Sequence, residues 1–266
     1  MAESTNARRT EVDGILTITF TRDAKLNAVS PDMVDMLRQA AADLGDREDL
    51  RVLLINAEGR YFTAGIDIAQ SVMGKAQARA EGPVSTKVLR RDYRKLHLLF
   101  DELEAIEKPV VLAAHAPCLG VGVELSGSCD FRLASEAARF GLPEVENLGV
   151  IPGSGGVSRV TRLVGPAWGK WLAMAGETVD AEQALNMGLV QAVYPVEKFA
   201  AEVDRFVRRL AGLPTEAVGL AKVAVDAAAS VDRVTARDVD RLANSVLLLS
   251  DEHREMTRAF VERKKK

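Results

Sequence analysis

The chain has 266 residues with a formal net charge of −3, 47% hydrophobic, 27% charged and 5% aromatic residues. That is enough chain to bury roughly 70–75% of its unfolded surface, and the balance is that of an ordinary soluble globular protein. No basic stripe with interleaved aromatics occurs, which argues against nucleic acid; the most apolar run, Pro109 to Val123, is too short and too broken by glycine and proline to cross a membrane.

Leu16, Ile18 and Phe20 alternate with Thr17 and Thr19, a period of two that predicts a half-buried strand. Ser30 followed by Pro31 opens a helix whose apolar positions Met33, Met36, Leu37, Ala40 and Leu44 keep helical spacing, with Gly45 as its stop. Residues 51–55 read as a short buried strand, and Ala57 to Gly65 as a glycine-punctuated loop ending in Thr63-Ala64-Gly65-Ile66-Asp67. Gln70 to Ser85 is small and polar without a clear period, which predicts a mobile loop over whatever lies beneath. Leu89, Tyr93, Leu96, Phe100, Leu103 and Ile106 mark one face of a long helix closed by Lys108-Pro109. Strand, loop and short helix then follow twice, once through Glu124 and again from Asp130 into the Gly153 region. The alternation predicts an α/β chain of parallel strands with helices outside. Asp180 caps a helix ending at Gly188, Leu189 to Tyr194 is a last strand, and everything after Pro195 is helical. Residues 1–195 are expected to form the core and 196–266 a helical region for contacts between copies.

Two glutamates stand in glycine-rich, otherwise apolar company. Glu124 closes Cys118-Leu119-Gly120-Val121-Gly122-Val123-Glu124, and Glu144 closes Phe140-Gly141-Leu142-Pro143-Glu144 ahead of Gly153-Ser154-Gly155-Gly156. Glycines let a backbone approach a ligand closely, and the first amides of a helix have no intrahelical partner, so the first loop offers N–H donors to a developing anion. Two carboxylates beside such donors suit proton transfer next to a carbonyl, because burial raises a carboxyl pKa toward neutrality. On composition alone the plainer alternative is favoured, with Glu124 at a helix N-terminus and Glu144 paired with Glu146 on a solvated loop.

Competing motifs are weaker. Gly120-x-Gly122 has Leu125 where a dinucleotide fingerprint needs a third glycine, and no Lys-Ser or Lys-Thr follows Gly153 to Gly156. Gly-x-Ser-x-Gly is absent around Ser126, Ser128 and Ser154. His97, His115 and His253 share no ligand spacing, so no metal is expected. Trp168, Trp171, Met174 and Met187 read as packing residues. Cys118 and Cys129 match neither a redox pair nor a zinc site, and Met1 to Thr10 lacks the apolar core of a secretory leader, so a cytoplasmic location is expected.

Several stretches together resemble the enoyl-CoA hydratase/isomerase (crotonase) family: Lys25-Leu26-Asn27-Ala28, Tyr61 to Ile68, Leu119 to Leu125, Cys129-Asp130, Phe140 to Glu144 and Leu148 to Gly156, in matching order from about residue 12 to the C-terminus. The resemblance implies a crotonase-like spiral of ββα units with a C-terminal helical region, assembled as a homotrimer or homohexamer and binding an acyl-CoA. It implies an oxyanion hole from the amides of Ile66 and Val121, and catalytic glutamates at Glu124, orienting water, and Glu144, the α-carbon acid. Lys25, Leu26, Ala64, Gly65, Asp67, Ile68 and Gly120 fall where the family holds the CoA moiety; Phe260 and Lys264 fall where relatives reach the CoA of a neighbour.

Two positions depart from the family pattern. Val121 stands where glycine is usual, and since a β-branched residue resists positive φ, ordinary dihedrals are expected there; its side chain would also narrow the acyl pocket. One extra residue lies between Glu144 and Gly149, which would present Glu146 if the strand bulged. The implied activity is hydration of a 2-trans-enoyl-CoA without a cofactor; alternatives are double-bond isomerisation, or an idle acyl-CoA-binding homologue.

Overall fold

The structure is a computed structural model that describes residues 6–78 and 83–263. A six-stranded sheet runs in the order β1 (Ala7–Val12), β2 (Ile15–Phe20), β3 (Val52–Ala57), β4 (Val110–Ala114), β6 (Phe131–Ser135) and β9 (Ala192–Tyr194), parallel except for the β1–β2 hairpin. The apolar runs of β3 and β4 are nearly unbroken because both faces are covered, as in parallel sheets generally. Leu53, Ile55, Val110 and Leu112 enter the main core, whereas Val52, Leu54, Val111 and Ala113 enter a second one beneath α8 (Val196–Ala211). The helical region expected from residue 196 therefore begins with a helix that packs on the sheet through Phe199, Val203 and Val207.

The main core is closed by α1 (Pro31–Asp46), which buries Met33, Leu37, Ala40 and Leu44, and by α3 (Thr86–Ala105), which buries Leu99, Phe100 and Leu103. Gly45 does not stop α1: it lies inside the helix with no atom near its Cα hydrogens, and the turn comes at Arg47. The loop expected from Gln70 to Ser85 contains α2 (Val72–Ala78), because Ser71 ties the turn by donating to the Ile68 carbonyl and accepting from the Gly74 amide. Ala76 of this helix is buried.

A second sheet of three short strands, β5 (Cys118–Leu119), β7 (Arg139–Gly141) and β8 (Thr178–Asp180), positions the site. β5 and β7 are parallel, with Cys118 opposite Phe140 and Leu119 opposite Gly141. Each runs into a short helix, α4 (Val121–Ser126) or α5 (Glu144–Leu148). The repeated unit is thus strand, strand, helix: β4-β5-α4, then β6-β7-α5.

The short α7 (Ala181–Asn186), capped by Asp180, leads from β8 toward β9, and beyond α8 lie α9 (Thr215–Ala228), α10 (Arg233–Leu248) and α11 (Asp251–Arg263). α9 is tied to the core by Lys222, whose Nζ lies 3.1 Å from Asp130 Oδ2 and donates to the Leu103 carbonyl at 2.9 Å. Asp130 Oδ2 also accepts from the Val110 amide at 2.7 Å. Lys222→Met would leave this largely buried carboxylate without its cation, a loss of about 3 kcal/mol. Urea denaturation is expected to show that loss, and a wild-type midpoint would refute it.

Candidate functional site

The site is assembled by three segments in register. Phe62 and Thr63 both donate their amides to the Pro117 carbonyl, and the Leu119 amide donates to Thr63 O at 2.9 Å, so residues 62–66 run alongside β5. The Gly120 amide donates to Gly141 O at 2.9 Å, which sets the end of β5 beside the end of β7. Loops leaving the carboxyl ends of neighbouring parallel strands are where α/β proteins place ligands.

Gly65 and Gly120 both take positive φ, +110° and +54°, and each immediately precedes a predicted amide donor, Ile66 or Val121. A Cβ on Gly120 would lie 3.5 Å from Gly65 Cα, so the two turns abut. Neither the Ile66 nor the Val121 amide has a protein acceptor among the described residues. Val121 is the first residue of α4 and keeps helical dihedrals, as its branched side chain requires; Gly120 alone absorbs the unusual conformation. The Val121 side chain is buried at 6% exposure.

Glu124 lies one turn into α4 and is 3% exposed. Its Oε2 accepts from the Ser154 amide at 2.6 Å and the Gly156 amide at 3.0 Å. A Cβ on Gly156 would sit 2.7 Å from Glu124 Cγ, so that glycine is needed for the close approach. Burial raises the Glu124 pKa to about 7; the Gly156 and Ser154 amides oppose the rise, the nearby Glu144 adds to it, and Arg159 opposes it.

Glu144 opens α5 and is half-buried. Its Oε1 would be 2.8 Å from a Cβ on Gly120, so the carboxyl rests on the Gly120 turn. Its Oε2 is buried without a hydrogen-bond partner among the described residues, and burial raises its pKa also. The Glu144 carboxyl thus sits against the turn that carries the Val121 amide, and the Glu124 carboxyl, held by the Ser154 and Gly156 amides, lies close enough to Glu144 to feel its charge. Glu146 is exposed and packs against Gly176 instead: the chain is helical here, so the extra residue is absorbed in α5 without a bulge.

The raised Glu124 pKa has a consequence for stability. Between 4.5, its ordinary value, and about 7 the folded chain holds a proton that the unfolded chain has lost. The stability linked to that proton is fully present below the unfolded value and falls as pH rises through the window, by about 3 kcal/mol in all. Glu124→Gln is expected to flatten this part of the pH dependence, leaving the same-signed slope from Glu144. Urea midpoints at the two ends of the window test this, and parallel wild-type and variant curves would refute it.

A pocket of about 300 Å³ beside Ile66 is lined also by Arg22, Lys25, Ala28, Asp67, Ile68, Ala69 and Gln70. Leu26 takes left-handed φ and accepts the Ala64 amide at 2.9 Å, joining two of the segments predicted to hold CoA. The Asp67 carboxylate is engaged by Arg22 at 2.7 Å and by the Gln70 amide and side chain, which keep it ionised below the usual range despite its burial. It orders the loop and holds Arg22 in an ion pair, which leaves Lys25 as the cation of the lining without an ion pair among the described residues. A larger cavity, about 610 Å³, lies between the outer face of the sheet and α8, and none of the predicted site residues lines it. Phe260 stands on α11, 60% exposed and outside the lining of either pocket; Lys264 lies outside the described residues.

Several participants escaped sequence reasoning. Asn27 is fully buried: its Oδ1 accepts the Arg22 amide, and its Nδ2 donates to the Glu58 and Tyr61 carbonyls, so it shapes the turn that carries Lys25 and Leu26. Its positive φ of 52° gave no signal beyond the tolerance of asparagine for that region. The Ser154 and Gly156 amides that hold Glu124 carry no side-chain signature at all.

Among the described residues no helix is long and apolar enough to cross a membrane. The family model for enoyl-CoA hydratase/isomerase matches residues 10–266. The chain is 33% identical to a crotonyl-CoA hydratase of Syntrophomonas wolfei over 92% of its length and 90% of that protein's. It is 32% identical to a short-chain-enoyl-CoA hydratase of Clostridium acetobutylicum, covering 94% of this chain and 92% of that one. The crystal structure of an enoyl-CoA hydratase from Bacillus anthracis superposes with a TM-score of 0.87 at 28% identity, covering 97% of both chains. The fold is the crotonase fold, and with the paired glutamates, the abutting glycine turns and a family match over nearly the whole length, the chain belongs to the enoyl-CoA hydratase/isomerase family.

Proposed function

We propose that the protein is an enoyl-CoA hydratase that adds water to a short 2-trans-enoyl-CoA and yields the 3-hydroxyacyl-CoA. The observation that supports this best is a pair of buried, electrostatically coupled carboxyls with raised pKa values, one of them resting on the Gly120 turn that abuts Gly65, ahead of two amides without a protein acceptor among the described residues. The thioester oxygen accepts from the Ile66 and Val121 amides. Glu124, anchored through Oε2, takes a proton from water as the water oxygen bonds to the β-carbon, and the double-bond electrons move onto the thioester oxygen as an enolate. The enolate returns its electrons to the α-carbon, which takes the proton of Glu144. A proton passing from Glu124 back to Glu144 restores the starting state. Isomerisation needs a single acid/base group, so retention of both glutamates favours hydration.

The relatives named for crotonyl-CoA and short-chain substrates support a short acyl group, as does the buried Val121 side chain beside the hole. Lys25, the cation of the 300 Å³ pocket that no ion pair occupies among the described residues, suits a phosphate of CoA. Exposed Val225, Leu242 and Leu249 on and just after α9 and α10 support assembly of copies through the C-terminal helices. The test is consumption of crotonyl-CoA, followed by loss of the conjugated-thioester absorbance and appearance of 3-hydroxybutyryl-CoA. Binding of acyl-CoA without turnover of crotonyl-CoA or of longer 2-trans-enoyl-CoA would refute hydration.

A further inference from the structure

The loop that holds Glu124 has little to hold itself. Gly153, Gly155 and Gly156 surround Ser154, and Gly155 takes φ of +98°. Its rigidity must come from outside, and α3 and α6 (Gly156–Ala173, kinked at Gly165) supply it. His97 Nε2 lies 3.0 Å from the Gly153 carbonyl. Arg159, the fourth residue of α6, folds back along its own helix so that Nη1 donates to the Ser154 carbonyl at 3.3 Å. A Cβ on Gly155 would collide with that same nitrogen, so the guanidinium lies directly against the loop.

The guanidinium is itself fixed. Its side chain is 8% exposed, Nη2 is paired with Asp101, Nε lies 3.1 Å from Glu104, and the carbon of the fork sits 5.7 Å from the centroid of the Phe100 ring. One face of α3 thus locks Arg159, and Arg159 locks the loop whose amides grip Glu124.

We infer that Arg159 is a positioning residue that fixes the Glu124 carboxyl through the Ser154 to Gly156 loop, an inference that rests on the hydration proposed above. The charged and titratable groups around Glu124 are Glu144 on α5 and Arg159 on α6. Those facing the loop or Arg159 from α3 are Tyr93, His97, Asp101 and Glu104. Glu144 disfavours a charge on Glu124 and Arg159 favours it, so loss of Arg159 acts on both the position and the ionisation of Glu124.

The experiment compares wild type, Arg159→Met and Arg159→Lys. The Glu124 carboxyl is titrated by infrared difference spectroscopy, with Glu124→Gln identifying its band, and the pH profile of kcat/KM is measured with crotonyl-CoA. Arg159→Met is expected to raise the Glu124 titration and its limb of the profile by a fraction of a pH unit, and to lower kcat about 10²-fold through misplacement of the carboxyl. Arg159→Lys keeps a cation without the fork, so it is expected to restore the titration while kcat stays depressed. An unchanged titration in Arg159→Met overturns the inference. Should the methionine variant not fold, the lysine variant decides it, because wild-type kcat there overturns the clamp. A wild-type protein inert toward every enoyl-CoA would refute hydration, yet the infrared titration would still decide the Arg159–Glu124 coupling.

Discussion

Glu144→Gln is expected to hydrate crotonyl-CoA about 10³-fold more slowly than wild type, the usual range for losing a positioned proton donor. Glutamine has the size and shape of the carboxyl, so its contact with the Gly120 turn survives and stability changes little. What disappears is the transferable proton, which burial keeps on Glu144 above the ordinary carboxylate pKa. Glu124→Gln is expected to slow hydration comparably, for a different reason: the amide oxygen can still accept from Ser154 and Gly156, but the group can no longer take a proton from water. Both groups act on one addition, so the double variant is expected to fall little below either single one. Exchange of the α-hydrogens of butyryl-CoA with deuterated solvent separates the two roles. It needs only the α-carbon acid and the enolate site, so Glu124→Gln should retain it and Glu144→Gln should lose it. Hydration by Glu144→Gln within threefold of wild type would refute its assignment as the acid.

Much of the architecture was legible because it depends on local pattern. β3 and β4 read as buried strands since a parallel sheet covered on both faces demands unbroken apolar runs. The two glycine turns stood out because positive φ at Gly65 and Gly120 is a local requirement that composition displays. β1 carries no legible pattern, since Arg8, Arg9 and Glu11 are polar on an edge strand with little to bury; the signal that could have found it is the Asp13-Gly14 turn, whose φ values are 52° and 76°. α2 was missed for a related reason, a short helix with little buried area beyond Ala76.

The contacts that tune the site were the least legible. Glu124 is paired with amides 30 and 32 residues away, Arg22 with Asp67 at a separation of 45, and Arg159 with Asp101 at 58. Main-chain donors have no identity in a sequence, and an arginine on a helix looks the same whether it faces solvent or a carboxylate. That Glu124 and Glu144 belong together was visible as a resemblance; that Glu144 rests on the glycine turn from which the helix of Glu124 starts became visible only through the pairing of β5 with β7.

Gly120→Ala is the second substitution with a large expected effect, and it tests the amide pair directly. Gly120 has φ of 54° and ψ of −122°, a conformation that an L side chain reaches only with backbone strain of about 1–3 kcal/mol. The new methyl would also meet Glu144 Oε1 at 2.8 Å, so either the carboxyl or the turn must shift. Relief of both conflicts rotates the peptide that carries the Val121 N–H, and losing one oxyanion donor typically lowers the rate about 10²–10³-fold. Glu144 moves in the same relaxation, which places the expected kcat at the slower end of that range. Gly165→Ala serves as the control, since Gly165 also has positive φ, 75°, but a Cβ there meets no atom within 4 Å. It is expected to lower Tm and leave kcat unchanged, which separates strain from misdirection of the amide. If Gly120→Ala turns over crotonyl-CoA as wild type does while its Tm falls like that of the control, the Val121 amide is not a donor to the thioester oxygen.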